Sequence, residues 1–285
     1  MSECTHNCST CGESCAERAT PQSLRKAPHP ESRIGKVFGV VSGKGGVGKS
    51  MVTSQLAVTL HRRGYKVGVM DADITGPSIP QAFGVHDQAV GTQTALYPCV
   101  SHSGIQVMSF NLLLEDETDP VIWRGPVIGG VVQQFWTDVA WDVDYLFVDM
   151  PPGTGDVPLS VFQSIALDGI IVVTSPQELV SMVVEKAVKM AEKMDVPIVG
   201  VVENMSYVAC PDCGKKIRLY GEGKTAQAGA EQDLSLLAQR PIDPKLAARC
   251  DAGKIGEFQG DWLDEAVKVV ENFHNWDLEM EEEEE

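Results

Sequence analysis

The chain has 285 residues, 43% of them hydrophobic, which is enough for one large α/β domain or two smaller ones with a sizeable core. Acidic residues outnumber basic ones 40 to 23, and seven of the forty (Asp277, Glu279 and Glu281 to Glu285) fall in the last nine positions, so the body is acidic even without its tail. Such a surface repels phosphate backbones and anionic lipid, which argues against nucleic-acid and membrane partners.

The opening stretch, MSECTHNCST, has no basic segment followed by an apolar one, so no secretory signal is expected. Nowhere do about 18 apolar residues run together, so no membrane span is expected either. Eight cysteines in a chain without export information point to the cytoplasm, where thiols stay reduced and clustered cysteines more often hold metal than form disulfides. Residues 1–32 are polar, hold Cys4, Cys8, Cys11 and Cys15, and end in TPQSLRKAPHPES; they read as a Cys-rich extension on a linker. Four thiols within twelve residues can wrap one metal centre without help from a fold.

Residues 33–275 have the texture of a domain. Val37 to Val41 form a short apolar run that ends in a Gly-rich loop, and a helical stretch follows with Val52, Leu56 and Leu60 on one face. Further runs are Val67–Met70, Leu146–Val148, Ile170–Thr174 and Ile198–Val202. They are short, rich in β-branched residues and separated by helical segments. This is the pattern of strands buried on both faces, so the fold expected is three-layer α/β: a mostly parallel sheet covered by helices on both sides. Segment 178–194 carries Leu179, Val183, Ala187, Met190 and Met194 at helical spacing, and 262–273 carries Leu263, Ala266, Val270 and Phe273. Both read as core-facing helices. Residues 276–285 read as a solvated acidic tail.

The loop Gly43-Lys44-Gly45-Gly46-Val47-Gly48-Lys49-Ser50 matches G-x-x-x-x-G-K-[ST], between an apolar strand and an amphipathic helix. Glycines let backbone N–H groups close around phosphate oxygens, and the helix N-terminus adds partial positive charge. Lys49 would neutralise the β and γ oxygens of ATP, and the Ser50 hydroxyl would ligate Mg²⁺. The similar GEGKT at 221–225 lacks the full spacer and the preceding strand, so it reads as an ordinary loop. Asp149 ends the run YLFVD, where a carboxylate beside the phosphate loop can hold a Mg²⁺-bound water. Asp71 and Asp73 end an earlier run, and the Gly153–Gly155 backbone is a candidate sensor of the γ-phosphate.

In VVENMSYVACPDCGKK, Cys210 and Cys213 stand two residues apart on a turn after a buried strand. Metals bound by cysteine generally take about four ligands, so this pair is half a site. Cys99 and Cys250 stand alone and read as buried structural thiols.

Lys44 is not required by the general phosphate-loop motif. KGGVGKS resembles the deviant Walker A loop of the MinD/ParA/nitrogenase iron protein class. The resemblance implies a nucleotide-sandwich homodimer in which Lys44 reaches the partner's nucleotide, a device worth roughly 10³–10⁵ in rate for arginine fingers of GTPases. It further implies that Asp73 orients the attacking water and that Asn204 reads the adenine edge. A two-fold dimer doubles whatever lies near its axis, so Cys210 and Cys213 of both subunits would give four thiolates at one site. A [4Fe–4S] cluster there would be releasable cargo; zinc would be a staple. A thiol–disulfide pair is the third reading, disfavoured because that chemistry prefers a helix N-terminus.

Longer blocks carry a closer resemblance. DADITGPSIP, VIWRGP, QFWTDVAWDVDYLFVDMPPGTGD, VVENMSYVACPDCG and RPIDP resemble the Mrp/ApbC family of P-loop ATPases over roughly residues 35–255. Members carry and transfer iron–sulfur clusters. The resemblance implies a homodimer that binds a labile [4Fe–4S] cluster through the CxxC pair and delivers it to apo iron–sulfur proteins. Cluster scaffold proteins would be further partners, and the ATPase weak. The set Cys4-x₃-Cys8-x₂-Cys11-x₃-Cys15 resembles an extra cluster site of the family's eukaryotic cytosolic branch. It departs from that branch in the short first spacing, leaving Fe–S and zinc both open. Three other functions are weighed: a MinD/ParA-type positioning ATPase, a reductase like the nitrogenase iron protein and a zinc-stapled regulatory ATPase. The acidic body and tail disfavour the first, and cluster cysteines close together in one motif disfavour the second.

Overall fold

The computed structural model describes residues 25–73, 78–114, 125–153, 155–176, 180–221 and 223–274. The expectations for Cys4, Cys8, Cys11 and Cys15, for Leu179 and for the acidic tail lie outside them. In chain order the strands are β1 Arg33–Val41, β2 Val67–Asp71, β3 Val90–Gly91, β4 Leu96–Tyr97, β5 Cys99–Val100, β6 Gln106–Met108, β7 Asp142–Asp149, β8 Gly169–Thr174, β9 Ile198–Glu203, β10 Val208–Ala209, β11 Lys216–Ile217 and β12 Leu236–Gln239. The α-helices are α1 Lys49–Arg62, α2 Ser78–Phe83, α3 Gly125–Thr137, α4 Asp156–Ser164, α5 Val180–Met194, α6 Thr225–Ala230, α7 Pro244–Asp251 and α8 Asp264–Glu271.

Eight strands form one sheet in the order β12-β9-β8-β1-β7-β2-β6-β5. Every pairing in it is parallel except that of β5 with β6. Alternation along β1 sends Phe38 and Val40 to one face and Val37 and Val41 to the other, and all four are buried. The first face packs on α1, α2, α7 and α8 through Leu56, Ile79, Leu246 and Val267. The second packs on α3 to α6 through Val132, Val161, Val184 and Ala228. The expected three-layer α/β architecture is therefore present. β1 lies between β7 and β8, so the loops leaving β1, β7 and β2 open at one edge, the carboxyl ends where ligands bind in such sheets.

Residues 25–32, read from sequence as linker, are stitched to the body. The Lys26 N–H donates to Ser164 O at 2.8 Å, and Trp136 Nε1 donates to Lys26 O at 2.7 Å. Ser32 Oγ donates to Val139 O at 3.0 Å and accepts from the Trp141 N–H at 3.0 Å. His29 is buried; its Nδ1 accepts from the Glu31 N–H, so Nε2 carries the proton and donates to Thr94 O at 3.0 Å. No helix among the described residues is long and apolar enough to cross a membrane.

Candidate nucleotide site and cysteine hairpin

A cavity of about 460 Å³ opens at the carboxyl edge of the sheet. The loop from Lys44 to Ser50 forms one wall; Asp73, Gln81, Pro152 and Cys250 contribute to the others. Gly48 caps α1 with φ +76°, and a Cβ built on it would stand 2.3 Å from Asn204 Nδ2. Glycine is needed there on both counts. The first turn of α1 then faces the cavity with unsatisfied backbone N–H groups, a natural seat for phosphate.

Behind the loop sits a buried polar cluster. Lys49 Nζ lies 2.7 Å from Asp149 Oδ2, with 5% and 0% of the two side chains exposed. Asp149 also accepts from Ser50 Oγ and from Thr53 Oγ1, each at 2.6 Å. Thr53 belongs to no motif; its one signal in the sequence is a position four residues after Lys49, on the same helical face. Asp71 stands beside Asp149 in the parallel ladder and accepts from Ser109 Oγ at 3.0 Å and from the Asp73 N–H at 3.1 Å. Burial first, and the neighbouring Asp149 charge second, push the Asp71 carboxyl well above the usual carboxylate range, with Lys49 opposing. Two buried carboxylates thus share one lysine, which leaves a demand for positive charge next to a hydroxyl and a carboxylate oxygen. Hard oxygen donors in that number suit Mg²⁺, which keeps waters and phosphate oxygens for its remaining positions.

Asn204, which the resemblance puts at the adenine edge, lies beside the phosphate loop. It is fully buried and absent from the cavity wall. Its Nδ2 donates to Val47 O at 2.7 Å, and its Oδ1 accepts from Arg240 Nη1. The amide holds the phosphate loop. Arg240, which the sequence reading passed over, is 2% exposed, with Nη2 3.2 Å from Met51 Sδ and the guanidinium over the Trp262 ring. Burial lowers it to about 10, so it stays charged at neutral pH.

The cysteine pair lies on a hairpin formed by β10 and β11, with Val208 opposite Ile217 and Ala209 opposite Lys216. The Cys210 N–H donates to Lys215 O and the Gly214 N–H donates to Cys210 O, both at 2.9 Å. Gly214 takes φ +71° to close this turn. The backbone N–H groups of Asp212 first and Cys213 second, then the Cys213 side chain, hold the Cys210 thiol below its ordinary value. A knuckle of this kind favours thiolate and hence a soft metal. Cys210 is half-buried and Cys213 exposed. Among the described residues no three His, Cys, Asp or Glu side chains come close enough to hold a metal, so the pair remains two ligands of an incomplete set. Cys99 and Cys250 are half-buried rather than buried, and Cys250 lines the cavity.

A parallel α/β sheet with a phosphate loop after its central strand defines a P-loop NTPase. Residues 33–274 match the ParA group described as NUBPL iron-transfer P-loop NTPase, and the chain belongs to that family of iron–sulfur cluster carriers. It is 46% identical over 234 residues to the iron-sulfur cluster carrier protein of Clostridium perfringens, covering 79% of this chain and 82% of that one. The protein of the same name from Methanococcus maripaludis is 41% identical over 258 residues, covering 88% and 89%. Among solved structures, the nucleotide-binding protein of Archaeoglobus fulgidus in complex with ADP, with cobalt, is 42% identical with a TM-score of 0.73, covering 80% and 90%. MinD of Pyrococcus horikoshii complexed with Mg-ADP, 20% identical with a TM-score of 0.55 over 84% and 96%, shares the fold.

Proposed function

We propose that the protein is an ATP-binding, weakly ATP-hydrolysing homodimer of the cytoplasm that carries a labile [4Fe–4S] cluster and hands it to apo iron–sulfur proteins. One observation carries this reading: an accessible thiol pair, short of two ligands among the described residues, stands on the hairpin that leaves the carboxyl end of β9, the sheet edge from which the phosphate loop leaves β1. A second copy across a two-fold axis supplies the missing pair.

Within each subunit, Lys49 turns from Asp149 to the β and γ oxygens as ATP enters. Ser50 and Asp149 would hold Mg²⁺, whose charge offsets that of the phosphates. Asp73 orients the attacking water, and Lys44 meets the partner's nucleotide. Asn204 keeps the Val47–Gly48 segment closed on the phosphates. Cys210 and Cys213 release the cluster as thiolates of the recipient replace them one by one. Cys4, Cys8, Cys11 and Cys15 form a second metal centre, Fe–S or zinc. Cluster scaffold proteins load the carrier.

The test is iron, sulfide and zinc content with the visible spectrum after anaerobic reconstitution. With Cys4, Cys8, Cys11 and Cys15 already replaced, substituting Cys210 and Cys213 by alanine should abolish the remaining brown chromophore and leave ATP binding intact. Full retention of iron in that variant rejects the assignment; zinc without sulfide in the parent points to the staple instead.

A further inference from the structure

Four residues join the nucleotide loop to the cysteine hairpin. β9 ends at Glu203, and the chain turns through Asn204, Met205, Ser206 and Tyr207 before β10 begins at Val208. Met205 takes φ +59°, unusual for a side chain of its size. Arg240 clasps this turn from both ends: its N–H donates to Glu203 O and its carbonyl accepts from the Ser206 N–H, each at 2.8 Å. The Asn204 N–H is tied to Thr174 O at 2.8 Å. The turn is therefore fixed at three points, with Glu203, Asn204 and Ser206 buried, so a displacement at one end is passed on rather than absorbed.

Adjacent side chains in the turn hold opposite things. Asn204 holds the Val47 carbonyl of the phosphate loop, with the Arg240 guanidinium fixing which way its amide points. Glu203, 1% exposed, holds the hairpin. Its carboxylate accepts from Ser206 Oγ just before the hairpin, from Thr225 Oγ1 at the start of α6, where the chain returns after the hairpin, and from Gln239 Nε2 of β12 at 2.9 Å. One buried carboxylate thus closes the base of the whole excursion that carries Cys210 and Cys213. All three of these side-chain donors are neutral and come from different segments. A buried charge held this way is costly, and breaking any donor leaves it short.

We propose that the Glu203–Asn204 step is the link by which nucleotide occupancy sets the position of the cysteine hairpin, with Glu203 the positioning residue for Cys210 and Cys213. Its use in delivery rests on the carrier reading above; its existence does not. Phosphates entering the loop shift the Val47–Gly48 peptide against Asn204, and the rigid turn conveys the shift to the carboxylate that gathers the hairpin's two roots. Linkage makes the effect reciprocal, so a metal bound by the hairpin changes nucleotide affinity by the same factor.

The test uses the full chain, reduced and metal-free, and follows alkylation of Cys210 and Cys213 by iodoacetamide through peptide mass, with and without Mg-ADP. Light scattering selects a concentration at which the oligomeric state is the same in both. Nucleotide should change the rate about fivefold or more, the lower end of ordinary coupling. Thr225→Val removes one donor while keeping its shape; it should bring the ratio to about one with ADP affinity within about twofold of the parent. Ser206→Ala, at the other root, should do the same and serves if Thr225→Val does not fold. A parent whose rate ignores nucleotide, or variants that keep the whole effect, would overturn the link. A chain that behaves as expected here yet takes up no iron or sulfide keeps the link and loses the cargo.

Discussion

The two ends of this link are built on opposite principles. At the nucleotide loop, Lys49, Asp149, Thr53 and Asp71 are almost wholly removed from water, and each oxygen of Asp149 has a donor. At the cysteine hairpin, the turn between two strands of two residues each presents thiols to solvent, with exposed Ile217 in β11 and exposed Leu219 and Tyr220 after it. Buried, over-determined groups keep a fixed geometry through many cycles of binding. A site that must give up its cargo needs ligands a second protein can reach. The contrast yields different mutational behaviour at the two ends.

The largest effect should come from Lys49→Ala. Removing the amine takes the phosphate contact with it, and nucleotide affinity should fall at least about 100-fold, roughly 2.7 kcal/mol. It also leaves Asp149 and Asp71 side by side without their buried cation, a loss of about 3–5 kcal/mol in stability by the usual cost of breaking such a pair. Calorimetric titration with ADP and thermal melting check the two halves. Unchanged melting would mean that the buried cluster is looser than its geometry.

The intermediate effect is at Asp71. Its carboxyl is raised in the folded state, so the folded protein holds that proton more tightly than the unfolded chain. The stability this provides is fully present below the ordinary carboxylate range and is lost as pH rises through the raised value. Asp71→Asn keeps the contacts to Ser109 and the Asp73 N–H while removing the charge. At neutral pH the variant should melt higher than the parent, by about 2–4 °C for each kcal/mol regained. The gain should shrink on acidification. An equal difference at every pH would exclude the charge as its cause.

Those outcomes also mark what the sequence could reveal. The phosphate loop was legible because its chemistry imposes residue types at fixed spacing between a strand and a helix, and the parallel sheet because strands buried on both faces read as unbroken apolar runs. The partners that complete the cluster, Thr53 and Ser109, are ordinary hydroxyls whose meaning arises only when β2, β6 and α1 meet. Arg240 and Glu203 were hidden for the same reason. Asn204 stands out by resemblance alone, and its bond to Val47 O emerges only when β9 meets the phosphate loop, where Gly48 leaves room for its amide. The polar, proline-bearing stretch before Arg33 looked like a tether; backbone groups and the Trp136 indole bind it to the body. Two-residue strands such as β3, β4, β10 and β11 are too short for alternation to register.

The smallest effect separates two cysteines. At Cys210, N–H groups of Asp212 and then Cys213 stabilise thiolate, whereas burial first pushes the Cys250 thiol up, against the pull of Arg240. In the metal-free chain, the pH profile of Cys210 alkylation should therefore have its midpoint below that of an ordinary thiol, and that of Cys250 above it. At neutral pH Cys210 should therefore react faster than Cys250, readable by peptide mass in a single sample. Mg-ADP sharpens the comparison, because Cys250 lines the cavity and should become slower still as nucleotide covers it. If Cys250 reacted as readily as Cys210 and ignored nucleotide, the cavity wall would lie elsewhere and the hairpin would lose its claim to be the favoured thiolate among the described cysteines.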